Sequence, residues 1–288
     1  MQQGKPSATA WGVAVRRAVH QLLDQPLVLD DPLAVRIVGA SAAEDAMARA
    51  AAADGMRRRF SNAMRAVVVA RSRLAEDQLA GAVGQGLRQY VVLGAGLDTF
   101  AFRNLHAAAG LRVFEVDHPA TQAWKQELLA RAQIAAPAGL TFVAVDFETQ
   151  SLAERLAASG FDETQPAFFS WLGVVLYLTL PAFRQTLAFL GQRPAGSHVV
   201  FDYAIGLEEL TVRERIGFEL LAQRVAAAGE PFKLFVPTAQ IHAELRAAGF
   251  TWIEDLDASA VNARYFSERL DELKVAGRVG RFLHASKD

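Results

Sequence analysis

The feature that most constrains the fold is the alternation of short apolar runs with helical stretches that begins after residue 81. Such alternation is typical of a parallel sheet whose strands are joined by crossover helices. We predict strands at residues 90–93, 112–116, 141–145, 167–171 and 198–203. Because these runs are mostly apolar and rich in residues that favour strands, we expect the sheet to be buried on both faces. The chain is therefore predicted to be an α/β protein.

The segments on either side of these five runs complete the prediction. Residues 1–80 lack strand alternation and are predicted to form a helical cap, with helices at 10–23, 41–53 and 56–79 and a turn at 27–33. After the fifth run we predict helices at 208–228 and 238–248, then an antiparallel pair of edge strands at 250–256 and 281–284 with a helix at 262–273 between them. Without a repeat or a long linker, 1–288 is predicted to be one domain, with its core at 81–288.

Composition excludes several classes of function. Thirty basic residues stand against 31 acidic ones, so the formal net charge of −1 offers no general field for a nucleic acid. The absence of cysteine excludes disulfides, thiolate nucleophiles and cysteine-bound zinc, and we predict no metal site. The first twenty residues do not resemble a signal peptide, and no run reaches the length of about 18 apolar residues that a membrane helix needs. We therefore expect a cytoplasmic protein without a membrane partner.

The strongest local signal is a glycine turn that follows the first predicted strand. Gly94, Ala95 and Gly96 come directly after residues 90–93, and ligands bind at the carboxyl ends of strands in an open parallel sheet. On its own, this pattern fits a tight strand-to-helix turn about as well as a cofactor site.

Two further acids follow the next two strands. Asp117, 21 residues after Gly96, is suited to accept hydrogen bonds from the ribose diol of an adenosine-containing cofactor, although it could instead cap the following helix. Asp146 and Phe147 could bind the adenine amine and cover the ring, or could be a helix cap and a core side chain. Together the three positions indicate an adenosine site.

The glycine turn itself distinguishes between cofactors. A dinucleotide site normally has a third glycine where this chain has Thr99, and the Asp98 carboxylate would repel a pyrophosphate but could bind an ammonium group. Both features favour S-adenosylmethionine over a nicotinamide cofactor. Arg71, on the last helix of the cap, could hold the methionine carboxylate, although most helical arginines are simply solvated.

These residues also resemble a known family. The segments 94–99, 101–103, 115–119, 146–147 and 174–178, with Arg71, are similar to the leucine carboxyl methyltransferase family, in particular to a bacterial branch that includes carboxyl O-methyltransferases of polyketide biosynthesis. The resemblance extends from residue 9 to about residue 203. It implies a class I methyltransferase fold with a Rossmann-like sheet, and S-adenosylmethionine as the cofactor.

The resemblance also implies roles for individual residues. Arg71 would bind the methionine carboxylate, Gly94 would line the methionine portion, Asp117 would bind the ribose, and Asp146 with Phe147 would bind the adenine. We add Ala95, Gly96, Asp98, His118, Trp171 and Leu172 to the predicted cofactor site. Family members commonly carry glutamate at the position of Leu172. If that glutamate contacts the cofactor, affinity falls here or another group, such as Asp98, compensates.

The expected reaction is transfer of a methyl group to an oxygen of a small acceptor. A carboxylate acceptor needs no general base, whereas a phenol needs one, for which His118 or His20 could serve. Tyr177 and Tyr203 could position the acceptor oxygen, and Trp11, Trp171 and Phe218 could line an aromatic pocket; packing explains these side chains about as well. The alternatives are methylation of a protein C-terminal carboxyl group and cofactor binding without turnover.

Overall fold

The N-terminal region is helical in the computed structural model, which describes residues 7–146, 150–227 and 231–288. Its helices are α1 (Ala8–Leu23), α2 (Leu33–Val38), α3 (Ala40–Ala51) and α4 (Gly55–Gly84). The side chain of Ser7 caps α1 by accepting a hydrogen bond from the backbone of Ala10. The predicted helices are confirmed within a few residues, and α2 is an additional short helix that begins directly after the predicted turn.

The described remainder of the chain forms one sheet of seven strands with helices between them. The strands are β1 (Gln89–Leu93), β2 (Arg112–Asp117), β3 (Leu140–Ala144), β4 (Phe168–Trp171), β5 (His198–Ala204), β6 (Trp252–Leu256) and β7 (Gly280–Ser286). The helices are α5 (Pro119–Arg131), α6 (Leu152–Ala158), α7 (Leu180–Gly191), α8 (Val212–Ala227), α9 (Thr238–Ala247) and α10 (Ala258–Tyr265).

The strand order is β3-β2-β1-β4-β5-β7-β6. The first five strands in the chain pair in parallel, whereas β7 is antiparallel to both β5 and β6. The predicted α/β class, the five core strands and the antiparallel edge are therefore confirmed. The carboxyl ends of β2, β1, β4 and β5 lie side by side, which places their following loops at one edge of the sheet.

The core lies on both faces of this sheet. In β1, Tyr90 and Val92 join a cluster with α4, whereas Val91 and Leu93 join the opposite cluster with α7 and α9. Each fully buried large apolar side chain contributes about 1.5–3 kcal/mol. Double-sided burial explains why the strand sequences are mostly apolar. Among the described residues, no helix has both the length and the apolar character needed to cross a membrane.

The helix predicted at residues 262–273 is wrong in its bounds. The side chain of Asp257 caps α10 by accepting from Ala260 at 2.8 Å, so the helix begins earlier. The side-chain amide of Asn262 bonds to the backbone of Val275 at 2.8 and 2.9 Å, and Leu273 is buried. These contacts fold the chain back after Phe266 as an irregular segment.

Candidate cofactor and acceptor site

The glycine turn joins the ends of three neighbouring strands. The backbone N–H groups of Gly94 and Ala95 donate to the carbonyl of Val116 in β2, at 2.8 and 3.1 Å. Gly94 has φ +67°, and a Cβ there would collide with Val174, which follows β4. Gly96 has φ +51° and lies against Ala10 of α1. The turn needs glycine for its backbone conformation and for its close contact with the β4 loop.

Asp117 ends β2 with its carboxylate directed at this turn. The backbone of Gly96 donates to Oδ2 at 2.6 Å, and the backbone of His118 donates to Oδ1 at 2.7 Å. Burial raises the pKa of Asp117, against the lowering effect of these two N–H groups. Because each carboxylate oxygen has two acceptor positions, both oxygens keep capacity for a ribose hydroxyl. The alternative that Asp117 caps α5 is wrong, since His118 is the capping residue.

Neither proposed histidine is well placed to act as a general base. His118 Nδ1 accepts from the backbone of Ala120 at 3.2 Å, so the neutral ring carries its proton on Nε2. Taking up a second proton would break this cap. His20 is fully buried, with Nδ1 bonded to Asp24 at 2.8 Å and Nε2 accepting from Val28 at 3.0 Å. The hypothesis that His20 deprotonates an acceptor is wrong.

Asp98 is bound by the helical cap. Arg17 Nη1 donates to Asp98 Oδ2 at 3.0 Å, and the backbone of Phe100 donates to Oδ1 at 2.8 Å. Burial alone would raise the pKa of Asp98, but the positive charge of Arg17 and its neighbours outweighs it and lowers the pKa. Arg17 is 2% exposed and also donates to the carbonyl of Leu97, so α1 is fixed onto the glycine turn. The negative charge of Asp98 is therefore already balanced by Arg17 of the helical cap.

Arg71 of α4 lies between the loop that follows β4 and the carboxyl-terminal half of β5. Its Nη1 donates to Asp202 Oδ2 at 3.1 Å, and the pair is largely buried. The guanidinium lies against Gly173, where φ is +70° and a Cβ would be 2.6 Å from Nη1. The backbone of Gly173 donates to Asp202 Oδ1 at 2.5 Å. Sequence reasoning missed Asp202, although an acid within the apolar run of β5 was a visible signal.

Arg16 is a second residue that sequence reasoning missed. It is half-buried in α1, and Nη1 donates to the carbonyl of Gly12 at 2.8 Å. Burial, and then the positive charge of Arg71, lower the pKa of Arg16, whereas Tyr177 acts in the opposite direction. The charges of Arg71 and Tyr177 therefore act on the Arg16 guanidinium. The side chains of adjacent helical residues point about 100° apart. Arg17 can therefore bind the glycine turn while Arg16 interacts with Arg71 and Tyr177.

The two candidate tyrosines have different surroundings. Tyr177 is half-buried in the turn Val175–Tyr177, with its ring 5.4 Å from that of Phe232, which stacks 5.8 Å from Phe218. Tyr203 is 2% exposed and donates its hydroxyl to Asp255 at 2.7 Å. Burial and this carboxylate raise its pKa. The structure thus brings Tyr177 to the site, and commits the hydroxyl of Tyr203 to another network.

The remaining predicted positions are distributed between the site and the core. Asp146 is half-buried after β3, and the predicted alternative of a helix cap is filled by Ser151. Phe147 lies outside the described residues. Trp171 is 3% exposed and stacks on Phe183 at 5.6 Å, which makes it a core side chain.

The other aromatic and apolar candidates pack against neighbouring elements. Leu172 is half-buried and packs against the cluster beneath α4, and Trp11 packs on Trp124. In the part of the chain that the structure describes, no three His, Cys, Asp or Glu side chains could share a metal ion.

The fold and this site define the protein as a class I methyltransferase in architecture. The same fold occurs in a "putative methyltransferase" from Thermobifida fusca, with a TM-score of 0.57, 15% identity and coverage of 100% of this chain and 97% of that one. A DUF574 family protein from Streptomyces avermitilis gives a TM-score of 0.54 at 19% identity, with coverage of 96% and 97%.

The sequence relationships are more specific. Residues 10–191 match the profile described as leucine carboxyl methyltransferase. The Bacillus subtilis (strain 168) "Putative S-adenosyl-L-methionine-dependent methyltransferase YktD" is 32% identical over 305 residues, covering 100% of both chains. A protein of the same description from Mycobacteroides abscessus is 39% identical over 170 residues, 59% of this chain and 55% of that one. The chain belongs to the leucine carboxyl methyltransferase family, which confirms the resemblance, and its class is the S-adenosylmethionine-dependent methyltransferases.

Proposed function

We propose that this methyltransferase transfers the methyl group of S-adenosylmethionine to a carboxylate oxygen of a small organic acid. The observation that carries the proposal is Arg16, a half-buried guanidinium of α1 that bonds the carbonyl of Gly12 and interacts electrostatically with Arg71 and Tyr177. Arg71 already has Asp202 as a partner, so Arg16 adds a positive charge that suits a second anion. An acceptor carboxylate supplies that anion.

The proton requirements of the reaction support the same acceptor. A phenol or alcohol must lose a proton as its oxygen attacks, whereas a carboxylate is already ionised at neutral pH. His118 uses its acceptor nitrogen in a helix cap, and the hydroxyl of Tyr203 is committed to Asp255. A carboxylate is the oxygen acceptor that needs neither of these groups as a base.

The aromatic side chains around Tyr177 also indicate the chemical character of the acceptor beyond its carboxylate. Tyr177 and Phe232 are half-buried with their ring planes tilted by 46°, and Phe218 stacks on Phe232. Aromatic faces bind apolar and aromatic groups at low entropic cost. We therefore expect an acid with an aromatic or apolar body, anchored at its carboxylate by Arg16.

The residues present fit the cofactor. Asp117 keeps acceptor positions for the ribose, Gly173 lets the Arg71 guanidinium lie directly against the backbone after β4, and Arg71 can donate to the methionine carboxylate. The bound sulfonium supplies an electrophilic methyl carbon. The protein then has to align the acceptor oxygen with that carbon, and such alignment can account for a large part of the rate. Arg16 orients the acceptor, and Asp146 is proposed to contact the adenine.

The test is turnover with methyl-labelled S-adenosylmethionine and a panel of aromatic and aliphatic acids, each with its matching phenol or amide. We expect a base-labile methyl ester from acids. Arg16→Gln should raise the KM for the acid at least tenfold while the affinity for S-adenosylhomocysteine stays unchanged, since one charge-assisted contact is worth about 1.5–3 kcal/mol. Arg57→Gln, on an exposed helical face, is the matched control. Methylation of phenols alone, or cofactor binding without turnover on any acid, contradicts the proposal.

A further inference from the structure

The amino-acid end of S-adenosylmethionine is a zwitterion, and the site contains an unassigned acid that could bind half of it. We infer that Arg71 and Asp202 form a clamp for this end, in which Arg71 binds the carboxylate and Asp202 binds the ammonium group. The inference rests on the proposed use of this cofactor and assigns Asp202 a binding role in addition to its ion pair.

The position of the clamp follows from contacts between neighbouring strands. Gly94, at the end of β1, touches Val174, and the preceding Gly173 touches the Arg71 guanidinium. Arg71 in turn pairs with Asp202 in β5. The pair therefore lies on the β4 and β5 side of the glycine turn, whereas Asp117 lies on its β2 side. A nucleoside with its ribose at Asp117 would direct its amino-acid chain towards the pair.

The hydrogen-bonding capacity of the pair matches a zwitterion. Asp202 accepts one bond from Arg71 at 3.1 Å and one from the backbone of Gly173 at 2.5 Å, and a carboxylate has about four acceptor positions. Arg71 has five N–H donors in a planar fork, of which one nitrogen bonds Asp202. Both groups thus keep capacity for a ligand of opposite charge. Gly173 has no side chain to cover them.

Other acids near the glycine turn are less suitable. Asp98 is bound by Arg17 and by the backbone of Phe100. Glu115 is 1% exposed and bonds Lys125 at 2.5 Å beneath the sheet edge. Leu172, after β4, offers no polar group. We therefore assign the contact with the ammonium group to Asp202 and not to Asp98.

A purely structural ion pair would also explain Asp202, because a buried carboxylate needs a partner. The two explanations differ in what they predict for ligands. A structural role affects every nucleoside ligand equally, whereas the clamp affects only ligands that carry the amino-acid group. S-adenosylhomocysteine carries this group, and 5′-methylthioadenosine is a related thioether nucleoside that does not.

The experiment compares the affinities of Asp202→Asn and the wild type for both nucleosides by calorimetry. We expect the Kd for S-adenosylhomocysteine to rise about 10- to 150-fold and the Kd for 5′-methylthioadenosine to stay within about twofold. Glu254→Gln makes the same charge change in a partly exposed ion pair with Arg264 and should alter neither affinity. Equal losses for both nucleosides, or no loss for either, overturn the clamp.

A second measurement uses only the wild-type protein, in case Asp202→Asn does not fold. The deamino analogue of S-adenosylhomocysteine should bind about as weakly as S-adenosylhomocysteine binds to the variant, and an unchanged affinity overturns the clamp. If the wild type binds neither S-adenosylhomocysteine nor S-adenosylmethionine, the proposed function and the clamp are both refuted. If the wild type binds both and only the variant or analogue results are negative, the proposed function stands and the clamp alone is refuted.

Discussion

Replacement of Gly173 by alanine tests the geometry at the centre of the site. A Cβ at this position would lie 2.6 Å from Arg71 Nη1, 2.7 Å from Nη2 and 2.9 Å from Cζ. Carbon atoms in contact prefer about 3.5–4.0 Å, so the guanidinium must move by roughly 1 Å or more. Because the guanidinium is the end of a flexible side chain, we expect Arg71 to shift while the fold persists.

Two separate effects follow for Gly173→Ala. The left-handed backbone, with φ +70°, costs a residue with a Cβ about 1–2 kcal/mol of unfolding free energy. Displacement of Arg71 removes the charge-assisted contact to the cofactor that we propose for it, worth about 1.5–3 kcal/mol, which corresponds to a rise of roughly 10- to 150-fold in the Kd for S-adenosylhomocysteine. Urea unfolding measures the first effect, and calorimetric titration measures the second.

Gly196→Ala is the matched control. Gly196 has φ +79°, and a Cβ there would lie at an ordinary 3.6 Å from Pro166, away from the glycine turn. It should therefore lose a similar amount of unfolding free energy and keep its cofactor affinity. If both variants lose stability equally and Gly173→Ala still binds S-adenosylhomocysteine normally, our account of Arg71 is refuted.

Two further predictions concern buried charge. Lys125→Met leaves Glu115 without its partner, and we expect a loss of about 3–5 kcal/mol in urea unfolding. Burial raises the pKa of Glu115 and Lys125 lowers it, so the native variant holds the Glu115 proton more tightly than the native wild type does, and the loss should grow as the pH rises. A loss below about 1 kcal/mol at every pH contradicts this. Burial also raises the pKa of Asp117, so affinity for S-adenosylhomocysteine should fall on acidification as this carboxylate gains its proton. Asp117→Asn should bind weakly without that acid-side loss, and an identical pH profile for variant and wild type contradicts the role of Asp117.

Local sequence patterns were sufficient for most of the fold. The five core strands are mostly apolar, and β1 shows why: Val91 and Tyr90 are buried in clusters on opposite faces of the sheet. The bounds of α10 were missed because a single side chain, Asn262, holds the following segment against Val275. That tertiary contact overrides the helical pattern and has no local signature.

The site was predictable where it follows directly from a strand end. Gly94, Gly96 and Asp117 can be predicted because each lies within three residues of the end of a predicted strand. Arg16 and Asp202 were not found, because their proximity to Arg71 depends on where α1 packs and on which strand lies beside β4. Neither the packing of a helix nor the order of the strands can be predicted from a local sequence pattern.

The position of β7 between β5 and β6 affects the order in which the strands of the sheet pair during folding. β6 precedes β7 in the chain, yet β6 pairs with the rest of the sheet only through β7. During folding, β6 joins the sheet only through the pairing of β7 with β5, some eighty residues away in sequence, and contacts of such long range form slowly. Until then β5 is an open edge whose unpaired backbone groups can capture a strand of another molecule. The refolding yield should therefore depend on protein concentration more strongly than native stability does.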